Sequence, residues 1–85
     1  MPVYELDRET LMRLGRDAET VLNSEAMAVA FQMLEDEATE KLLGTEPGDT
    51  ETREQLYHRI RALRDIRSRL YTMVESMTLD REEMN

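Results

Sequence analysis

Residues 50–77, TETREQLYHRIRALRDIRSRLYTMVESM, hold no Gly and no Pro and return an apolar side chain every seven positions. Leu56, Leu63, Leu70 and Met77 make one row, and Ile60 and Val74 follow Leu56 and Leu70 by four residues. Steps of four and three are the spacing of a helix that lays one apolar stripe against other helices. At ~1.5 Å per residue, roughly 28 residues make a rod of about 42 Å. A chain of 85 residues does not cover such a rod readily by itself. The stripe predicts packing against other helices, in this chain or in another.

The length allows one small domain with a thin core, of a size that usually needs close helix packing, a metal, disulfides or a partner chain. Cysteine is absent, which removes disulfides and thiolate metal sites and leans mildly towards the cytosol. The single His58 rules out a histidine-rich metal site within one chain. No run approaches a membrane span, and MPVYELDRET lacks the basic start and apolar middle of a signal peptide. The expected location is the cytoplasm of a host cell or a virion, neither secreted nor membrane-bound. Leu, Met, Ala, Glu and Arg dominate while Gly, Pro and aromatics are scarce, which predicts an all-α fold. A net charge of -8 argues against general nucleic-acid binding, which rests on cationic contacts to phosphate.

Along the chain, residues 1–7 read as an extended arm. Asp7 is a good N-cap for a short helix over 8–22, carrying Leu11, Leu14, Ala18, Val21 and Leu22 at helical spacing. Gly15 costs that helix about 1 kcal/mol relative to Ala. Asn23 and Ser24 interrupt the pattern, and a second helix over 24–43 presents Met27, Ala30, Phe31, Leu34, Ala38 and Leu42. Gly44 suits a left-handed C-cap. The Pro-Gly in residues 44–49 marks a turn, and Asp49 caps the long helix over 50–77. So short a turn favours antiparallel neighbours. Residues 78–85 are polar and acidic and are expected to fray. The predicted architecture is an antiparallel hairpin of two long helices preceded by a short one, assembling into an oligomeric helical bundle.

Charge is sorted along this plan. Ten acids and one base, Lys41, fall between residues 17 and 51, whereas six arginines and two acids fall between 53 and 69. Flanking charges of this kind select a helix partner, and exposed pairs contribute only ~0–1 kcal/mol each. Glu35, Asp36, Glu37 and Glu40 form a candidate acidic face, and Arg59, Arg61 and Arg64 a basic one. Arg67 falls on the apolar seam, so it either pairs across an interface or marks where the seam opens. Arginine suits planar, two-pronged contacts with acidic partners.

Catalytic chemistry finds little support. The acidic cluster lacks the Glu-x-x-His pairs of carboxylate-bridged metal bundles, and a solvated face accounts for it. Tyr57-His58 has no nucleophile motif beside it, and there is no phosphate-cradling loop. The chain reads as a non-enzyme without a cofactor. Met12, Met27, Met33, Met73 and Met77 fall on or beside apolar positions, where Met either fills a core or lines an adaptable docking groove. Tyr57 and Tyr71 suit interface anchoring.

Residues 22–70 resemble a set of short helical proteins encoded by tailed bacteriophages. The likeness rests on LNSEAMAVAFQMLEDEATEKLL followed by TEPGDTETREQLYHRIRALRDIRSRL, with Asn23, Ala26, Phe31, Leu34, Pro47, Asp49, Arg53, Leu56, Leu63 and Leu70 carrying it. The resemblance implies a phage gene product from among packaging or virion-assembly genes, and no activity.

Three functions follow as expectations. The first is helix-mediated assembly or adaptor binding with protein partners, including copies of itself, through Leu56, Ile60, Leu63, Ile66, Arg67, Leu70, Tyr71, Met73 and Met77. The alternative is an acidic mimic of DNA that occupies the basic groove of a host defence protein, of the anti-CRISPR or anti-restriction type. A nucleic-acid accessory using Arg59, Arg61, Arg64 and Arg67 ranks last, because these arginines fall on several helix faces.

Overall fold

Asp7 caps the first helix as the sequence predicts. Its backbone is extended and its carboxylate accepts a 2.8 Å hydrogen bond from the Thr10 amide. A computed structural model describes residues 6–83 of the chain, with side chains described for residues 6–79. Most of the expected N-terminal arm, residues 1–5, lies outside the described part. Three α-helices occupy the described residues, and no strand is found among them: α1 spans Arg8–Leu22, α2 spans Glu25–Leu43 and α3 spans Thr50–Glu83.

Each boundary has a local cause. The Asn23 amide bonds to the Glu19 carbonyl at 2.9 Å and the Ser24 amide to the Val21 carbonyl at 3.1 Å, which closes α1 before α2 begins. At the other end of α2, the expected left-handed glycine does not occur, since no described glycine has positive φ. Instead the Gly44 amide bonds to the Glu40 carbonyl at 3.1 Å, and the Thr45 hydroxyl donates to the Leu42 carbonyl at 2.6 Å. A side chain thus performs the closure that backbone freedom was expected to supply. Asp49 caps α3 by accepting from the Thr52 amide at 3.2 Å. α3 does not stop at Met77 but continues to Glu83. Residues 78–83 contain neither Gly nor Pro, and the Thr78 hydroxyl bonds back to the Val74 carbonyl at 3.0 Å.

Where one domain is expected, the chain gathers into two compact units, and α3 contributes to both. Of the described residues, the first comprises 6–24 and 67–83. Its centre is Met77, 1% exposed and packed against the buried Gly15 of α1, in a unit where Ala18 of α1 is buried as well. Gly15 is the reason the helices approach so closely: a Cβ there would overlap the Cβ of Met77 and lie 2.9 Å from its Sδ and 3.0 Å from the Met73 carbonyl. The residue that weakens α1 locally is the one that admits α3.

The second unit comprises residues 25–66. Ala38 of α2 and Leu56 of α3 are its buried residues, with Phe31, Leu42, Ile60 and Leu63 half-buried around them. Polar contacts join its helices at two levels. The Arg64 Nε meets the Glu35 Oε1 at 2.8 Å, and the Arg53 guanidinium donates to the Thr45 hydroxyl at 3.1 Å.

Candidate functional site: the open apolar and charged faces of α2 and α3

The residues predicted to join chains together do not form one available stripe. Leu56 and Met77 are buried within the chain itself. Ile60, Leu63, Arg67, Leu70 and Met73 are half-buried, and Ile66 and Tyr71 stand open. The set also divides between the two units after Ile66. Arg67 is half-buried on the seam where the four-three pattern places it. The row that looks greediest in the sequence is therefore largely covered by α1 and α2.

The open apolar surface is concentrated on α2. Met33 is 65% exposed, Val29 50%, Leu34 49% and Met27 40%, with Ala26, Ala28 and Ala30 open between them. Val29 and Met33 lie off the apolar face expected for this helix, while Met27, Ala30 and Leu34 lie on it but are not covered. The signal was present in residues 26–34, AMAVAFQML, where Gln32 alone is polar. A segment apolar on all sides has more than one face to cover. Phe31, Ala38 and Leu42 take one of those faces inward.

The charged faces are partly consumed. Asp36, Glu37 and Glu40 are exposed, but Glu35 is not part of that open face: its side chain is only 14% exposed beneath Arg64. Asp36 accepts a 2.8 Å hydrogen bond from Gln32. The Glu37 carboxyl sits below its ordinary pKa, first through its 3.0 Å hydrogen bond from Lys41, then through the charge of Lys41 and, more weakly, that of Arg59. Arg61 lies 3.9 Å from Asp65 on its own helix. Arg61 and Arg64 thus answer different carboxylates, while Arg59 lends only a weaker charge to Glu37.

Tyr57 and His58 stand edge to face, ring centroids 5.7 Å apart. Tyr57 also borders an open recess of about 350 Å³ with Leu42, Pro47, Thr50, Arg53 and Glu54. No buried side-chain polar atom among the described residues lacks a hydrogen-bond partner, so no orphaned group in the interior calls for a ligand. No group of three or more His, Asp or Glu among the described residues converges as metal binding would require, and none of these helices is long and apolar enough to cross a membrane. Compared with protein-family models, with curated proteins and with solved structures, the chain matches none.

Proposed function

We propose that this chain works without catalysis, by helix–helix association between copies of itself, as an assembly or adaptor component encoded by a tailed bacteriophage. The observation that carries this is the open apolar face of α2, with Val29, Met33 and Leu34 each about half exposed or more. In a chain this small, surface of that kind is costly to leave in water, at ~25 cal/mol per Å² of apolar area. Within residues 25–66, α2 and the first half of α3 form an antiparallel hairpin. Support comes from the Glu35–Arg64 contact far from the turn and the Thr45–Arg53 contact beside it. The phage assignment rests on the resemblance in residues 22–70.

Mimicry of DNA is the second reading, favoured by the exposure of Asp36, Glu37 and Glu40. It is weaker because Glu35 and Glu37 already answer cations of their own chain, which interrupts the run of free negative charge.

Sedimentation equilibrium across a wide concentration range tests the association. The mass is expected to rise above the 10.0 kDa of one chain as concentration increases. A constant single-chain mass throughout would overturn it.

A further inference from the structure

The break between α1 and α2 is narrow. Asn23 keeps helical backbone angles, and its amide still makes the helical bond to the Glu19 carbonyl; α2 resumes at Glu25. No Gly or Pro falls between residues 16 and 43, so local chemistry permits an unbroken helix through this point. Such a helix sorts the side chains differently. At ~100° per residue, Phe31 follows Leu22 by about two and a half turns. The inward line of α2, through Phe31, Ala38 and Leu42, then lies opposite the inward line of α1, through Leu11, Gly15, Ala18 and Leu22. The residues that fall in line with α1 are Ala26, Val29 and Met33, which continue it in steps of four and three. These three are exposed, Val29 at 50% and Met33 at 65%. In an unbroken helix, this open face of α2 is the continuation of the apolar stripe of α1.

Building on the association proposed above, we infer that two copies join by exchanging α1. Residues 8–43 straighten into one helix, and α1 leaves its own α3. The apolar row of α3 from Leu56 to Met77 lies on one line, so a straight α1–α2 rod keeps only one of its two opposed stripes there. Phe31, Ala38 and Leu42 stay on it. The stripe from Leu11 to Met33 turns away and needs another chain. Departure of α1 uncovers Met77, and Gly15 of the second copy fits that place because Gly15 of the first did. A second copy is the occupant, since the contact between chains is the one already made within a chain. The exchange is reciprocal and closes about a two-fold axis, so it ends at two chains. Past Leu22, the same stripe brings Val29 and Met33 against the chain that has received α1.

Two sets of full-length variants test the exchange, with association followed by sedimentation equilibrium and helix content by circular dichroism. Proline is accepted at the first position of a helix, so Glu25→Pro keeps the broken form and its helix content in dilute solution. In an unbroken helix its ring meets the Val21 carbonyl, so this variant should associate at least ~100-fold more weakly than wild type. The second set pairs Gly15→Leu with Met77→Gly. Alone, each spoils the contact between α1 and α3, whether it forms within a chain or between copies. Mixed in equal amounts, exchange lays the enlarged position 15 of one chain on the emptied position 77 of the other, and Gly15 on Met77 at the reciprocal contact. The mixture should therefore regain helix content and form a hetero-pair. Packing confined to one chain gains nothing from mixing. If wild type associates but Glu25→Pro associates as well, or the mixture shows no rescue, the exchange is overturned and the association stands. If wild type stays a single chain at every concentration, both are overturned.

Discussion

Replacing Gly15 by Ala sets two effects of known size against each other. Helix propensity favours Ala by about 1 kcal/mol at an interior position, and Gly15 lies in the middle of α1. Packing opposes it. The new Cβ would overlap the Cβ of Met77 and sit 3.0 Å from the Met73 carbonyl oxygen. Neither is the movable end of a side chain, so no rotamer change makes room. α1 has to move outward, loosening Met77 and Ala18, which are 1% and 2% exposed. Overpacking of this kind costs ~1–3 kcal/mol. The net expectation is destabilisation of up to ~2 kcal/mol, and more for Gly15→Leu. Urea denaturation followed by helical circular dichroism measures it. Propensity alone orders stability as Ala, Leu, Gly; packing orders it as Gly, Ala, Leu. Gly44→Ala is the control, because a Cβ there makes only ordinary contacts at 3.5 and 3.7 Å and the residue is not left-handed. It should be neutral or stabilising by up to ~1 kcal/mol. A Gly15→Ala protein more stable than wild type would refute the close-approach account.

Leu56→Ala should cost ~2–5 kcal/mol because Leu56 is 6% exposed, while Ile66→Ala should cost a monomer under ~1 kcal/mol; equal losses in denaturation midpoints would count against the burial pattern. Arg64→Ala should destabilise by about 1 kcal/mol, more than Glu35→Gln, since it strands a carboxylate that is mostly covered; a double-mutant cycle reports whether the pair is coupled. The Thr10 amide holds the Asp7 carboxyl below its ordinary pKa, so its contribution is present above about pH 4 and fades as pH falls through the lower folded value. Asp7→Asn keeps a capping oxygen but removes that titration, so wild type should melt higher at neutral pH and lose its lead in acid. Parallel melting curves at all pH values would rule this out.

Helical periodicity and capping chemistry made the elements readable in advance. Asp7, the Asn23–Ser24 interruption and Asp49 each placed a boundary, because local hydrogen bonding alone settles them. Gly44 misled for the opposite reason: Thr45 supplies the closing contact, and a glycine signals only that the left-handed option exists. The extension of α3 past Met77 was hidden because polar composition resembles fraying when nothing forbids helix. Gly15 was legible as a local cost and illegible as a packing site. Its value depends on Met77, sixty-two residues away in sequence, and no single-helix pattern carries that pairing.

The reassignment of the open surface from α3 to α2 follows from how many faces each helix asks others to cover. α3 is long, but its row from Leu56 to Met77 lies on one line, and a line can be covered piece by piece, by α2 near Leu56 and by α1 near Met77, while Ile66 and Tyr71 off that line stay open. Length made that stripe look excessive; division between two units satisfies most of it. α2 is shorter, yet residues 26–34 are apolar around the whole helix. One neighbouring helix covers roughly one face of another, so α3 leaves Val29, Met33 and Leu34 in water however well Ala38 is packed. The number of apolar faces, more than the length of an apolar row, therefore decides where a chain this small needs a partner.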